Sequence, residues 1–199
     1  MKTEFTPAQL ADPNTAVSAQ AIRKCVHCGF CTATCPTYVL LGDERDSPRG
    51  RIYLMKEMLE KEQKPTADVV RHIDRCLSCL ACTTTCPSGV DFMHLVDHSR
   101  AYIEERYERP MHERVLRSVL AKILPDRARF RTAVRFARLL APLAPLLSRI
   151  QILNPLAAML VLSRQAAGAK AAAENSPASG IRRGRVLLMQ GCAESVVRP

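Results

Sequence analysis

The sequence has no tryptophan, and aromatic residues make up only 5% of its 199 positions. Nucleic-acid surfaces built on base stacking depend on aromatic side chains, so this scarcity argues against one. The chain also has no phosphate-binding glycine loop, nucleophile elbow or flavin fingerprint. We therefore expect no catalytic residue and no substrate chemistry on this chain alone.

Long apolar runs are missing as well. The N-terminal MKTEFTPAQL has neither the apolar core nor the cleavage site of a secretory signal. Within the apolar segment 139–163, the longest uncharged piece has 14 residues, whereas a membrane span needs about 20. This pattern favours a cytoplasmic protein, with at most a peripheral association at the cytoplasmic membrane surface. In a reducing compartment, thiols usually serve metals or redox chemistry.

Cysteine, by contrast, is abundant, since the chain has nine. Eight of them form two runs, CVHCGFCTATCP and CLSCLACTTTCP, that share the spacing C-x2-C-x2-C-x3-C-P. Every cysteine of the second run lies 51 positions after its counterpart in the first. This offset indicates two copies of one unit, packed face to face. The eight cysteines are Cys25, Cys28, Cys31, Cys35, Cys76, Cys79, Cys82 and Cys86.

The spacing is that of bacterial ferredoxins, in which three cysteines of a run hold one [4Fe–4S] cluster and the fourth ligates the other cluster. The fourth cysteine lies one helical turn past the third, about 6 Å along the axis, and so points away from the first cluster. We therefore expect two [4Fe–4S] clusters that act together as an electron-transfer relay. On this pattern, Cys25, Cys28, Cys31 and Cys86 hold one cluster, and Cys76, Cys79, Cys82 and Cys35 hold the other.

Other metal sites fit the pattern less well. Zinc sites use paired C-x2-C hooks with four ligands per ion, and they require neither the third cysteine nor the Cys-Pro ending of each run. His27 lies between two ligands and suggests a Rieske-type site, but the eight cysteines already complete two cubanes. His94 and His98 share a helix face that we expect to be packed or solvated. Cys192 is expected to be a lone buried thiol.

Several residues inside the runs suit cluster binding. Gly29 lets backbone N–H groups approach sulfur closely, because it has no Cβ. Pro36 and Pro87 are expected to end the ligand-bearing turns, since proline cannot continue a helical hydrogen-bond ladder. The hydroxyls of the runs either donate to cluster sulfurs and raise the reduction potential or cap backbone groups. These hydroxyls belong to Thr32, Thr34, Ser78, Thr83, Thr84 and Thr85.

Strand signals are nearly absent from 15–165, so a mainly α fold is predicted. Helix-start signals at Ser47-Pro48, Thr66 and Asp91 predict helices over about 48–62, 66–75 and 92–109, after a first helix over about 15–24. The expected segments are a flexible arm (1–14), a two-cluster α-helical ferredoxin-type domain (15–110), a basic helical extension (111–165), a linker (166–184) and the first strand of an incomplete second domain (185–199).

Positive charge is concentrated behind the cysteine runs. Residues 1–110 carry 14 basic and 15 acidic side chains, whereas residues 111–165 carry 10 basic and 2 acidic ones. Such a basic band suits docking to a partner or to an anionic membrane. The alternative from a different class is a basic, metal-stabilised nucleic-acid-binding protein. The band is formed by Arg127, Arg129, Arg131, Arg135 and Arg138.

Two long stretches around the cysteines resemble the iron–sulfur subunit of glycolate oxidase (glycolate dehydrogenase). They are RKCVHCGFCTATCPTYVLLGDERDSPRGRIYLMKEML and DRCLSCLACTTTCPSGV, and RVLLMQGCAESVVRP near the C-terminus resembles it too. The resemblance covers residues 18–199 and implies the same eight cysteine ligands. It also implies partner subunits that carry FAD and oxidise glycolate to glyoxylate. The iron–sulfur subunits of lactate and glycerol-3-phosphate dehydrogenase complexes are the alternatives within the same class.

The resemblance further implies cysteine-rich domains, akin to those of heterodisulfide reductase, after the ferredoxin domain. Cys192 matches the opening Gly-Cys of the first such domain. The sequence ends 7 residues later, without the later Cys-Cys pair. We therefore expect a form that is truncated at its C-terminal side relative to the family.

Overall fold

The computed structural model describes residues 1–150 and 153–165, together with positions 180, 181, 184, 191 and 196. These residues form a mainly α structure that divides into two compact units, Met1–Glu108 and Arg109–Pro199. The first unit contains both cysteine runs. The predicted strand over 185–190, the linker residues 166–179 and Cys192 lie outside the described residues.

Eleven α-helices and two short 3-10 helices are present in the described residues. The first unit contains α1 (Pro7–Leu10), α2 (Pro13–Lys24), α3 (Pro36–Leu41), a 3-10 turn (Glu44–Asp46), α4 (Pro48–Glu60), α5 (Ala67–Asp74), α6 (Ala81–Thr85) and α7 (Phe92–Arg106). The second contains α8 (Met111–Ile123), α9 (Arg127–Leu140), a 3-10 turn (Ala141–Leu143), α10 (Ala144–Leu147) and α11 (Asn154–Gln165).

The predicted helix starts are confirmed by the caps. The hydroxyl of Ser47 accepts from the N–H of Gly50, and Pro48 occupies the first position of α4, where its missing N–H costs nothing. Thr66 and Asp91 cap α5 and α7 in the same way. Helix α7 ends at Arg106, three residues before the predicted end, because the backbone at position 107 is already extended on the approach to Pro110.

The core of the first unit forms where α2, α4, α5 and α7 meet. Its fully buried apolar side chains include Ile22, Met55, Ile73, Leu95 and Ile103, one or two from each of these helices. Ser18 and Ser99 are also fully buried and allow α2 and α7 to approach closely. The cysteine loops follow α2 and α5 directly, so the packed helices fix the starting direction of both loops.

The expectation of a flexible arm over residues 1–14 was wrong. Thr6 begins α1 with a capping box, and Asp12 caps α2. Phe5 is buried in the core, and the side-chain amide of Gln9 donates to the backbone oxygen of Glu60 at 2.9 Å. One apolar anchor and caps at both short helices therefore order a segment whose sequence has little periodicity.

In the second unit, α9, the second 3-10 turn, α10 and α11 pack against one another through buried alanines and Leu160. Ala141, Ala144, Ala157 and Leu160 are buried there, and Arg138 donates to the backbone oxygen of Ser163 at 3.0 Å. Within the described part of the chain, no helix combines the length and the apolar character needed to cross a bilayer.

Candidate metal centre

The eight cysteines of the two runs line two recesses in the first unit. The first recess, with about 440 Å³ of empty volume, is lined by Cys25, Cys28, Cys31 and Cys86 and is also reached by Cys82. The second recess, about 300 Å³, is lined by Cys35, Cys76, Cys79 and Cys82. All eight thiols are free. Each recess thus combines cysteines from both repeats, and Cys82 lies between the two.

The two loops repeat the same unusual backbone turn. His27 and Ser78, which are 51 positions apart, have positive φ angles of 58° and 50°. Gly29 and Leu80, again 51 positions apart, have φ angles of 87° and 56°. Residues with side chains rarely adopt this left-handed conformation, so the repeat extends from cysteine spacing to backbone geometry. The sequence signalled the turn only at Gly29.

An arginine from a following helix holds each loop. Arg49 of α4 donates to the backbone oxygen of His27 at 3.4 Å and is paired with Glu44. Its guanidinium covers Gly29 so closely that a Cβ there would lie 2.6 Å from an Arg49 nitrogen. Arg100 of α7 holds the second loop, because it donates to the oxygen of Cys76 at 2.6 Å and to the hydroxyl of Ser78 at 2.7 Å.

Three polar groups lie close to the sulfur of Cys35. Its sulfur lies 3.2 Å from the Thr37 hydroxyl, 3.7 Å from a terminal nitrogen of Arg51 and 3.6 Å from the backbone oxygen of Asp46. Arg51 is only 1% exposed, although it carries a full positive charge. The other terminal nitrogen of Arg51 donates to the Thr37 hydroxyl at 3.0 Å.

A buried ionic network holds Arg51 in this position. Its Nε donates to the backbone oxygen of His72 at 2.7 Å, and the guanidinium lies 3.3 Å from the carboxylate of Asp46. Asp46 is fully buried and also contacts His72 Nδ1 at 2.9 Å and Arg75 at 3.0 Å. A buried carboxylate needs such partners to offset its desolvation. The sequence did not reveal this network, because its members lie far apart in the chain.

The hydroxyls inside the runs turn to the backbone rather than to sulfur. Thr32, Thr34 and Thr83 donate to carbonyl oxygens three residues earlier, and Thr84 and Thr85 both donate to the oxygen of Ala81. Ser78 accepts from Arg100. The backbone-capping interpretation therefore holds for the five threonines, whereas Ser78 follows neither alternative. Among the described residues, Thr37, just past the first run, has a hydroxyl within hydrogen-bond distance of a cysteine sulfur of the runs, that of Cys35.

The prolines also act differently from the expectation. Pro36 begins α3 at its first position, with Cys35 as the N-cap, so it starts a helix as well as ending the turn. Helix α6 ends at Thr85, before Cys86 and Pro87, as predicted for the second run. A helix begins at Pro36 but not at Pro87, because proline fixes only its own φ and the residues that follow it determine whether a helix starts.

His94 and His98 lie where α7 packs against α2. His98 Nδ1 is hydrogen-bonded to the hydroxyl of Ser18 at 2.7 Å, and His94 Nε2 lies 3.1 Å from the oxygen of Asn14. These contacts join α7 to α2, which confirms the packed-face interpretation. His27 Nδ1 lies 3.6 Å from the Cys25 sulfur. Burial and the nearby Arg49 charge lower the pKa of His27, which favours its neutral form.

The thiols differ in how readily they lose a proton. Burial, followed by the neighbouring thiolates, raises the pKa of Cys82 to about 12, and burial likewise raises the pKa of Cys31. Burial acts in the same direction on Cys35. There, however, hydrogen bonds from Thr37 and the Tyr38 amide and the charge of Arg51 together lower the thiol pKa. The protein therefore stabilises negative charge on the Cys35 sulfur more than on these two buried sulfurs.

These residues fit iron–sulfur clusters. Eight unpaired thiols converge in two recesses of mostly apolar lining, and arginines supply positive charge close by. Thiolates are the ligands that iron–sulfur clusters require, four for each [4Fe–4S] cluster.

Comparison with known proteins supports this chemistry. Residues 21–90 match the family of 4Fe-4S dicluster domains. The predictions of two [4Fe–4S] clusters and of a helical, ferredoxin-type domain are thereby confirmed. No solved structure matches the chain.

The chain is similar in sequence to several known proteins, and the aligned part of the chain differs from one to the next. It is 40% identical, over its full length, to the glycolate oxidase iron-sulfur subunit of Escherichia coli (strain K12), of which it spans 45%. Over 55% of its length it is 41% identical to a probable glycolate oxidase iron-sulfur subunit of Bacillus subtilis (strain 168), of which it spans 25%. A weaker similarity, 24% identity over 46% of the chain, links it to 26% of a heterodisulfide reductase component from Methanosarcina mazei. The predicted resemblance is confirmed.

Proposed function

Because residues 21–90 match 4Fe-4S dicluster domains and the whole chain resembles the iron–sulfur subunits of glycolate oxidase, we propose that it is the electron-transfer subunit of a glycolate oxidase or dehydrogenase complex. It takes electrons from an FAD-containing partner subunit that oxidises glycolate, and it passes them to an acceptor. The observation that carries the proposal is the pair of recesses, each lined by cysteines of both repeats.

The proposal assigns a ligand set to each recess. Cys25, Cys28, Cys31 and Cys86 bind one [4Fe–4S] cluster, and Cys76, Cys79, Cys82 and Cys35 bind the other. The bound clusters supply one-electron transfer at each site. The chain itself fixes the sulfur positions through the packed helices before each loop and through Arg49 and Arg100. Cys25, Cys35 and Cys82 are buried, whereas Cys28 and Cys79 are exposed at the outer side of the recesses.

Anaerobic purification together with the flavoprotein partner tests this function. We expect about eight iron and eight sulfide ions per chain, and EPR signals of two interacting clusters after reduction. Glycolate added to the complex reduces the clusters, whereas lactate and glycerol 3-phosphate added to parallel samples do not. A preparation with two zinc ions and no sulfide, or clusters that glycolate leaves oxidised in the complex, would contradict the proposal.

Cysteine-to-serine variants test the ligand sets. Cys28→Ser and Cys86→Ser should change the same EPR signal, although they lie in different runs. Cys79→Ser and Cys35→Ser should change the other signal. Cys192→Ser is the matched control and leaves both signals as they are. If Cys86→Ser changed the signal that Cys79→Ser changes, each run would hold its own cluster and the assignment would be wrong.

For the remaining segments, the proposal keeps a cytoplasmic location with peripheral attachment to an anionic membrane. The five arginines of α9 support it, because they lie on one helix with three exposed apolar side chains, Phe136, Leu139 and Leu140. Such a helix binds anionic lipid surfaces through charge and apolar contact. Flotation with phosphatidylglycerol vesicles should carry the protein upward at low salt. Equal flotation with neutral phosphatidylcholine vesicles would contradict attachment through charge.

A further inference from the structure

The two ligand sets have different electrostatic surroundings, and the difference centres on Cys35. Arg51 is almost fully buried, and all three of its guanidinium nitrogens have fixed partners. One of these partners is the Cys35 sulfur itself. In an interior of low effective dielectric constant, a charge at this distance acts on the sulfur far more strongly than it would in water.

The charges around Arg51 do not cancel. Asp46 is the buried anion of the network, and it is shared by two cations, Arg51 and Arg75. His72 contacts the same carboxylate, and beyond it lie Asp43 and Asp68, which are paired with Arg45 at the surface. Arg51 and Asp46 are buried and Arg75 is 42% exposed, so these three charges sum to one positive charge, and the Arg51 guanidinium is the charged group that lies 3.7 Å from the Cys35 sulfur.

Thr37 adds a hydrogen bond whose direction depends on the state of Cys35. Its hydroxyl accepts from Arg51 and lies 3.0 Å from the Asp46 carbonyl oxygen and 3.2 Å from the Cys35 sulfur. When Cys35 is a thiolate ligand, it has no proton to donate. The single proton of the Thr37 hydroxyl, which is within reach of the Asp46 carbonyl oxygen, then turns to the sulfur instead, while Arg51 occupies the acceptor side of the hydroxyl. The Asp46 carbonyl oxygen lies farther from the sulfur, at 3.6 Å.

Among the described residues, no buried arginine is hydrogen-bonded to a sulfur of the first ligand set. Its nearest arginine, Arg49, contacts a backbone oxygen rather than a sulfur, and its charge is paired with Glu44. His27 Nδ1 lies 3.6 Å from the Cys25 sulfur, but His27 is exposed, so solvent screens its effect on the sulfur more than it screens that of the buried Arg51. The contrast between the two sets thus rests on geometry as well as on charge.

We propose that Arg51 and Thr37 hold the cluster bound by Cys35, Cys76, Cys79 and Cys82 at the higher reduction potential of the two. This inference rests on the proposed function, because it presumes that both clusters are bound. A reduced cluster carries one more negative charge than an oxidised one, so nearby positive charge and sulfur hydrogen bonds favour the reduced form. The first electron that enters the domain therefore resides on the cluster bound by Cys35, Cys76, Cys79 and Cys82.

Potentiometric titration of the anaerobic holoprotein, followed by EPR, tests the inference. The protein should titrate in two one-electron steps. Cys28→Ser should change the EPR spectrum of the cluster that is reduced at the lower potential. The cluster reduced at the higher potential is then the one that Cys35, Cys76, Cys79 and Cys82 bind. The solution is then poised at the midpoint potential of the higher step of the unaltered protein. At this potential, the cluster of the higher step in Arg51→Gln should have a reduced-to-oxidised ratio about tenfold lower, which is equivalent to a 59 mV fall in its midpoint potential for a one-electron couple.

Thr37→Val provides the variant that preserves the fold, since it removes only the hydroxyl from a half-buried side chain. It should lower the same ratio about threefold and leave the lower step unchanged. Two matched controls are Thr85→Val, whose hydroxyl bonds a backbone oxygen, and Lys56→Gln, a cation on the same helix as Arg51 that pairs with Glu60. Neither should move the higher step.

The outcomes separate this inference from the proposed function. If iron and sulfide remain at about eight each but Thr37→Val leaves both steps in place, the inference is wrong and the cluster assignment stands. If Cys28→Ser changes the spectrum of the higher step, the order of the two potentials is reversed and the inference is also wrong. If the unaltered protein binds no clusters at all, both proposals fail together.

Discussion

A Cβ atom on Gly50 would lie only 2.0 Å from the backbone oxygen of Glu44. Gly50 is in the first turn of α4, where its N–H donates to the Ser47 cap. Glu44 begins the 3-10 turn that carries Asp46. The absence of a side chain at position 50 therefore allows this turn to pack directly on α4 and brings Asp46 to Arg51.

We predict that Gly50→Ala destabilises the protein by about 3 kcal/mol, because a backbone atom has to move to make room for the methyl group. Anaerobic urea unfolding followed by circular dichroism measures the change. Gly42→Ala is the control. Its glycine has a positive φ, of 69°, but no atom stands within 4 Å of the added Cβ. Equal losses in the two variants would show that the contact with Glu44 costs no more than the strained φ at position 42.

A substitution at Leu80, in a strained turn, should increase stability rather than decrease it. Leu80 has the left-handed backbone that its counterpart Gly29 adopts without strain. Replacement by glycine should therefore raise the free energy of unfolding by about 1 kcal/mol. Leu77→Gly, at an exposed position of the same loop without a positive φ, should instead lower it by about 0.5–1 kcal/mol. If both variants lost stability, the side chain of Leu80 would contribute more than its strain costs.

Removing the buried anion should be costly. Asp46→Asn leaves Arg51 without its charged partner in the interior, and we expect a loss of about 3–5 kcal/mol. Asp43→Asn, which breaks an exposed pair with Arg45, should have a much smaller effect. Urea unfolding of both holoproteins under the same anaerobic conditions provides the comparison. A loss for Asp46→Asn no larger than that for Asp43→Asn would show that water or another group compensates Arg51.

Stability should fall on mild acidification because of His98. Burial, followed by the charge of His94, lowers its pKa below 6.5, while Asp12 and Glu105 act weakly in the other direction and Arg106 adds to the lowering. The unfolded chain therefore takes up a proton first. Stability is full above about pH 6.5 and declines as the pH falls toward the folded-state pKa.

His98→Gln keeps a group that can bond Ser18 but removes this titration. The difference in urea midpoint between pH 7.5 and pH 5.5 should shrink in this variant. His112→Gln, which lies on α8 in the other unit, should retain the difference. An unchanged difference in His98→Gln would assign the acid sensitivity to another group.

The sequence predicted those features that depend on local signals. Cysteine spacing and its 51-residue offset predicted the two-cluster domain, and Ser47-Pro48 predicted the start of α4, because caps and loop ligands act over a few residues. The order in residues 1–14 escaped prediction, since it depends on Phe5 entering a core formed by distant helices. The helix α3 after Pro36 was also missed.

The surroundings of Cys35 could not be predicted for the same reason. Arg51 lies 16 residues after Cys35, and the contacts of its partner Asp46 with His72 and Arg75 span 26 and 29 residues. In sequence, Arg51 looks like an ordinary polar position of an amphipathic helix. Only the packing of α4 against α5 and the 3-10 turn reveals that its charge is buried.

The arginine supports of the two loops also limit how the repeats can be exchanged. Arg49 reaches the first loop from α4, whereas Arg100 reaches the second from α7 and requires the hydroxyl of Ser78. A chimera with CVHCGFCTATCP transplanted in place of CLSCLACTTTCP would keep every sulfur at its spacing, yet it would offer Arg100 a histidine instead of that serine. The two halves match in their spacing, but each is specific to the helix that supports it.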